Sequence, residues 1–415
     1  MGHVKLFLRS GNPKALFAAF LYFDTSFMVW VLLGGLGNFI AADLGLDGTA
    51  KGLMTALPVL SGAVLRLPMG FAADRFGSRR VGMLGLALTL VPLAVGWLLA
   101  DRLSTIYLVG ILLGVAGASF AVALPLASRW YPPEQQGLAL GIAGAGNSGT
   151  VLASLFAPRL AEAFGWHAVF GLAMLPILLT FAIFVMLARD NPNAPKGAVR
   201  LRDYLHTLRQ KDALRFCLFY SVTFGGFVGL ASYLAIFLRD QYGITKVTAG
   251  DLTALCVFAG SFARPIGGMA ADRFGGIRVL LVLLGLIGGA ALALTTLPGL
   301  TVAFAFFFVT MTFLGMGNGA VFQLVPQRFS REIGVLTGLV GFAGGVGGFL
   351  LPFLLGSLRE ATGSYSAGFA VFALAAIAAA AILLTAKPGW QRSWAPHGSR
   401  ALHGRTALPA HAVQS

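Results

Sequence analysis

Apolar runs long enough to cross a bilayer follow one another down the chain, at 16–41, 52–73, 81–100, 105–130, 137–158 and 166–187, then at 214–238, 248–271, 277–297, 301–325, 333–356 and 365–386. A membrane-spanning helix needs about 20 such residues. In hydrocarbon every backbone N–H and C=O must find its partner inside the protein, so each run is expected to be a helix. The polar connections are short except one, "RDNPNAPKGAVRLRDYLHTLRQKDALR" from Arg189 to Arg215, which divides twelve helices into two sets of six. The predicted organisation is a six-helix bundle over 1–188, a linker over 189–213, a second six-helix bundle over 214–388 and a tail over 389–415. That tail, rich in Ser, Pro, Ala, His and Arg, reads as disordered.

Composition agrees with an all-α membrane protein: 57% of the 415 residues are hydrophobic and 11% charged, against about 25% charged in soluble domains. Mean hydropathy is +0.82. Basic residues collect on one side of the predicted helices: Lys5, Arg9, Lys14, Arg75, Arg79, Arg80, Arg129, those of the linker, Arg273, Arg278, Arg328, Arg331, Lys387 and the tail arginines. The opposite side holds Lys51, Arg102, Arg159, Arg239, Lys246 and Arg359. Short cytoplasmic loops retain Lys and Arg, so both termini and the linker are expected in the cytoplasm, with the chain in the cytoplasmic membrane. The same asymmetry accounts for the net charge of +15 without nucleic acid. Cys217 and Cys256 lie within apolar runs, which argues against a disulfide framework or a metal cluster. The first helix reads as retained rather than as a removable signal, because no small-residue cleavage pattern follows it.

Two stretches nearly repeat. "VLSGAVLRLPMGFAADRFGS" (59–78) and "FAGSFARPIGGMAADRFGG" (258–276) align Arg66 with Arg264, Gly70 with Gly268, Asp74 with Asp272 and Gly77 with Gly275. A fainter echo links "GIAGAGNSG" in helix 5 to "GLVGFAGGVGG" in helix 11. These are the marks of an internal duplication. Glycines at helical spacing let helices approach closely, which marks Gly141, Gly144, Gly146, Gly341, Gly344 and Gly345 as packing and hinge positions.

The loop "GFAADRFGSRR" and its copy "GMAADRFGG" resemble the signature of the major facilitator superfamily. That resemblance covers the whole chain and implies a transporter rather than an enzyme, in the major facilitator fold. It further implies a cytoplasmic latch built from Asp74, Arg75 and Arg79, repeated at Asp272 and Arg273.

Arg66 and Arg264 each precede their aspartate by eight residues, a helical rise of about 12 Å into a core about 30 Å thick. An arginine near the midplane costs at least about 2.5–3.5 kcal/mol on insertion scales. Among the carboxylates only Asp24, in "FLYFDTSFMVW", lies comparably deep; the rest fall in loops or at helix ends. Two deep cations and one deep anion leave one positive charge, which a bound monovalent anion would balance. The alternative is a purely structural ion pair. Guanidinium forks match planar oxyanions better than ammonium groups do.

The glycine-rich runs "GIAGAGNSGT" (141–150) and "GLVGFAGGVGGFLLP" (338–352) resemble the nitrate/nitrite porter family. By that resemblance Arg66 and Arg264 hold nitrate, Phe120, Tyr220 and Phe224 close on its faces, and Asn147 contributes an amide. Asn318 and Gln323 are further candidates for the cavity. Nitrate is flat and monovalent, so forks in its plane and rings on its faces would satisfy it, whereas sulfate or phosphate would call for more charge. No cofactor or metal is implied.

Accumulating nitrate against an inside-negative potential costs about 2.3 kcal/mol per 100 mV, so a coupled ion or a counter-anion is required, and a proton-coupled route needs a titratable group in the pathway. No histidine lies in the pathway, which leaves Asp24 as candidate proton carrier, coupled to nitrate through neighbouring arginines; its alternative is a salt bridge to one of them. Members that exchange nitrate for nitrite generally lack an acid in helix 1, so Asp24 favours proton symport over exchange. Transport of a small carboxylate, or anion sensing without transport, are the remaining alternatives. The family is expected to act as a monomer, and the metabolic use of the nitrate, assimilation or respiration, is open at this point.

Overall fold

A computed structural model describes residues 10–192, 207, 209–329 and 333–394. Among these the regular structure is helical, and twelve helices are long and apolar enough to cross a membrane. They are α1 (Pro13–Leu44), α2 (Gly48–Phe76), α3 (Ser78–Leu98), α4 (Leu103–Ser128), α5 (Ala139–Phe164), α6 (Trp166–Leu187), α7 (Lys211–Tyr242), α8 (Lys246–Phe274), α9 (Gly276–Leu294), α10 (Leu300–Val325), α11 (Val335–Thr362) and α12 (Ser366–Trp390). The chain is a multi-pass membrane protein. The predicted runs coincide with these helices one for one. Most observed helices are longer, because backbone hydrogen bonding continues past the apolar run into polar residues that hydropathy leaves out.

Local chemistry explains several boundaries. Asn12 caps α1 by accepting from the N–H groups of Lys14 and Ala15, both at 3.1 Å, with Pro13 in the first turn. Asp47 caps α2 through the N–H of Ala50 at 2.7 Å. The repeated D-R-F-G ends both α2 and α8 in the same way: Gly77 and Gly275 take φ of +92° and +93°, conformations open essentially to glycine alone.

Three of the first six helices are interrupted. Helix α1 breaks at Val31, between Pro13–Trp30 and Leu32–Leu44. Helix α4 breaks between Leu103–Gly117 and Phe120–Ser128, and α5 passes through a 3-10 turn at Ala145–Ser148. All three breaks lie in or beside the segments expected to carry the site.

The helices form two compact units, one comprising Met1–Arg200 with Gly229–Leu255, the other Leu201–Val228 with Cys256–Ser415. The division predicted at 189–213 follows chain connectivity, whereas packing places the end of α7 and the start of α8 in the first unit. Specific contacts hold that hairpin there. Asn38 Nδ2 donates to the carbonyl of Ala235 at 2.8 Å, Lys51 pairs with Asp240 at 2.7 Å, and Arg159 Nη2 pairs with Asp251 at 2.9 Å. Gly34 lies so close to the backbone of Ser232 that no Cβ would fit.

In the second unit the final helix continues to Trp394, six residues into the segment read as tail. The reason is Trp390, which stacks on Phe216 at 5.4 Å and donates from Nε1 to Asp212 at 2.8 Å. Asp212 also accepts from Arg215 and Arg328, each at 2.8 Å. The remaining tail, 395–415, and the linker residues 193–206 and 208 lie outside the described residues.

Candidate functional site

In the first unit the site is built around Arg66 on α2, which is only 3% exposed. Its guanidinium carbon lies 5.4 Å from the ring centre of Trp30 and 5.2 Å from that of Phe120, so two aromatic faces flank one cation. At the break in α4 the carbonyl of Gly117 accepts from Arg66 Nε at 3.3 Å. A helix end presents the negative pole of its dipole, which suits a cation. Trp30 is itself fixed by donating to the carbonyl of Pro58 at 2.6 Å. Gly62 and Gly117 leave no room for a Cβ against its indole.

Asp24 on α1 is 8% exposed, as deep as its apolar surroundings imply. Its partner differs from the expectation. Asp24 makes no ion pair among the described residues; its Oδ1 accepts from Ser148 Oγ at 2.7 Å, and the backbone N–H of Gly149 faces the same carboxylate. The 3-10 turn of α5 causes this, because its tighter winding turns Ser148 and the following N–H toward α1. Neighbouring Asn147 is buried and its Oδ1 has no hydrogen-bond partner among the described residues. Phe23, next to Asp24, meets Phe120 edge-on at 5.7 Å. Phe23 and Phe120 thus connect α1 to Arg66 by packing.

The glycines of α5 do not act alike. A Cβ on Gly146 would press on Phe23 and the backbone of α1, and one on Gly149 would run into the Asp24 carbonyl oxygen. Gly141 and Gly144 have nothing within 4 Å of that position, so neither provides the close helix contact its spacing predicts. Gly141 and Gly144 precede the 3-10 turn, whereas Gly146 lies within it and Gly149 directly follows it.

In the second unit Arg264 on α8 is half-buried, and its guanidinium carbon lies 5.4 Å from the ring centre of Phe322 on α10. Its Nη1 is buried without a hydrogen-bond partner among the described residues. Tyr220 and Phe224, one turn apart on α7, stack at 5.0 Å with ring planes 5° apart. Tyr220 meets Phe322 edge-on at 5.1 Å. Gly344 on α11 makes room for that stack, since a Cβ there would sit 2.6 Å from Tyr220 and 3.0 Å from Phe224. Gly341 and Gly345 are buried on the same helix. Asn318 is buried with its Oδ1 unpartnered, whereas Gln323 donates to Asp272 at 3.1 Å and so belongs to the helix-end cluster.

The latch residues do not pair among themselves. Asp74 forms its ion pair with Arg129 at the end of α4, both partly buried. The backbone N–H of Arg79 donates to Asp190 at 3.1 Å and its Nη2 to the carbonyl of Val185 at 2.9 Å. Arg75 lies over Phe76 at 5.5 Å, and Arg273 repeats this over Phe274 at 5.2 Å. Side chains leaving a helix end point along different directions, so i, i+1 neighbours cannot share one partner. For the Asp74–Arg129 pair, removing either charge is expected to cost about 1 kcal/mol. The double variant Asp74→Asn/Arg129→Gln should cost less than the sum, read as thermal unfolding in detergent; full additivity would mean the pair contributes nothing.

Sequence reasoning thus missed Trp30, Phe322, Arg129, Ser148 and Gly149. Ser148 and Gly149 stand inside the glycine run already singled out, but nothing in that run marks them apart. Each unit sets one guanidinium against aromatic faces, a combination suited to a flat anion.

A family model described as Major Facilitator Superfamily matches residues 16–352. The chain is 36% identical over 379 residues to the "Nitrite extrusion protein" of Bacillus subtilis (strain 168), covering 90% of this chain and 94% of that one. It is 33% identical over 404 residues to the "Probable nitrate/nitrite antiporter NarK1" of Thermus thermophilus, covering 89% and 90% of the two. Among solved structures, a bacterial homolog of the human lysosomal transporter Spinster, inward-facing and occupied, superposes with a TM-score of 0.70. That likeness covers 91% of this chain and 97% of the other at 19% identity, and it is one of fold alone.

Proposed function

The chain belongs to the major facilitator superfamily as a nitrate/nitrite transporter, and from that premise we propose that it imports nitrate across the cytoplasmic membrane by proton-coupled symport, as a monomer. Arg66 and Arg264 are the anion-binding residues of this reading. Phe120, Tyr220 and Phe224 supply apolar faces, and Asn147 supplies an amide. Nitrate accepts hydrogen bonds only in its plane, so guanidinium forks recognise its oxygens while rings exclude water from above and below.

The observation that carries symport is the setting of Asp24. A carboxyl held by a hydroxyl and a backbone N–H, rather than by a guanidinium, can gain or lose a proton without breaking an ion pair. Its link to the anion runs through Phe23 and Phe120 to Arg66, so movement of the arginine on binding nitrate is transmitted to α1 by packing. One proton per nitrate makes each cycle electroneutral and removes the cost of about 2.3 kcal/mol per 100 mV.

A second reading, exchange of external nitrate for internal nitrite, is favoured by the names of the Bacillus subtilis and Thermus thermophilus relatives. One experiment separates the two: nitrate uptake into proteoliposomes, with an inward proton gradient and empty lumen in one arm and internal nitrite without a gradient in the other. Symport predicts uptake in the first arm, lost in Asp24→Asn. Uptake confined to the nitrite arm, and indifferent to Asp24→Asn, would establish exchange and leave Asp24 a hydrogen-bonding group between α1 and α5.

A further inference from the structure

We propose that the joined ends of α7 and α8 form a releasable outer clasp on the first unit, fastened by the ion pairs Lys51–Asp240 and Arg159–Asp251. The stretch Gly229–Leu255 packs with the first unit, although α7 up to Val228 and α8 from Cys256 pack with the second. Each of these two helices therefore has one end in each unit, and the hairpin is held where it is by contacts rather than by connectivity. Those contacts reach three helices. Asp240 near the end of α7 takes Lys51 on α2 at 2.7 Å, and Asp251 near the start of α8 accepts from both Nη1 and Nη2 of Arg159 on α5. Asn38 on α1 donates to the carbonyl of Ala235 at 2.8 Å. Lys51 and Arg159 belong to the sparse basic residues of the side expected to face outward, and the proposal rests on that orientation.

Three features suit this contact to opening rather than to a permanent seam. Both ion pairs are partly exposed, so water can take over each charge as the partners separate. The helices themselves meet through glycine, which lets backbones approach closely. A Cβ on Gly34 of α1 would run into the Ser232 carbonyl oxygen of α7, and one on Gly250 of α8 would sit 2.7 Å from the Ser154 carbonyl oxygen of α5. Such faces part without interlocked side chains having to disengage. Finally, Ser232 stands eight residues before Asp240, a helical rise of about 12 Å further in. It is 2% exposed, and its Oγ has no hydrogen-bond partner among the described residues. A buried hydroxyl left unpaired destabilises the closed arrangement, and water relieves it when the hairpin lifts. The closed state is thus held by two ion pairs and opposed by one unsatisfied hydroxyl.

The test is labelling of Ser232→Cys by a membrane-impermeant maleimide added outside intact cells that express the full chain. The same chain without Ser232→Cys gives the baseline from Cys217 and Cys256. Added to Ser232→Cys, Lys51→Gln and Arg159→Gln should each speed labelling roughly two- to fivefold, and together about four- to twenty-fivefold, because the rate follows the open fraction. The exchanged pair Lys51→Asp/Asp240→Lys should return labelling close to its original rate, which a mere loss of packing at either position would not allow. Unchanged labelling in the single and combined variants overturns the proposal, as does an exchanged pair that labels as fast as Lys51→Gln. Where Lys51→Gln or Arg159→Gln does not insert, Asp240→Asn or Asp251→Asn takes its place. Thr245→Cys, in the exposed turn between α7 and α8, fixes the orientation and should label in every variant. Its failure to label from outside would put the hairpin on the cytoplasmic side and overturn the outer clasp. No readout uses nitrate, so the outcome is independent of which anion is carried.

Discussion

Arg66→Lys is expected to abolish nitrate uptake, with kcat/KM falling by at least about a hundredfold, although the charge is kept. The expectation follows from what each side chain can do at that place. Arg66 is flanked by Trp30 and Phe120 and gives its Nε to Gly117, and in the proposed role its planar fork meets two nitrate oxygens side by side. Lysine offers one compact ammonium that cannot serve the Gly117 carbonyl and two nitrate oxygens in one plane. Losing two charge-assisted hydrogen bonds at about 1.5–3 kcal/mol each amounts to roughly a hundred- to ten-thousandfold. Initial uptake rates of Arg66→Lys, with the amount of inserted protein measured, provide the check. Retention within about threefold would show that charge alone matters there and that geometry does not.

Gly149→Ala is the second large effect, and it acts on assembly and coupling together. The Cβ would run into the carbonyl oxygen of Asp24 and come within 2.7 Å of its carbonyl carbon and 2.9 Å of the Met28 nitrogen. All three are backbone atoms of α1 and cannot swing aside as a side chain can. Relief requires α1 and α5 to separate by more than an ångström or so, at the point where Ser148 meets Asp24. Overpacking of this kind costs about 1–3 kcal/mol and more where backbone must move. Gly141→Ala provides the control: nothing lies within 4 Å of its Cβ, and alanine in place of glycine favours a helix by about 1 kcal/mol. Thermal unfolding in detergent should therefore drop markedly for Gly149→Ala and stay level or rise for Gly141→Ala. Proton-driven uptake should be lost only in the former. Equal behaviour of the two would refute the close approach of α1 and α5.

Legibility differed from residue to residue for physical reasons. Asp24 and Arg66 were visible because a charged group inside an apolar run is costly and therefore conspicuous. Tyr220 and Phe224 came as a pair because residues one turn apart share a helical face, and the observed stack follows directly from that. Phe322 and Trp30 were hidden among 34 Phe and 6 Trp, since an aromatic residue in an apolar helix costs nothing and so carries no mark. The partner of Asp24 was misjudged because charge counting pairs opposite signs, whereas the 3-10 turn in α5 presents a hydroxyl.

By itself the sequence determined the twelve helices, their duplication and the burial of Arg66 and Asp24. These follow from hydrophobicity, helical rise and hydrogen bonding within one segment. Only the tertiary structure decided which glycines are contacts, that Asp24 meets Ser148, that Asp74 meets Arg129, and that each arginine rests on a ring from another helix. In the first unit those contacts lie at or beside breaks in α1, α4 and α5, and in both units they depend on which face of one helix meets the next. A rotation of a fraction of a turn changes every neighbour while leaving the hydropathy of the segment the same.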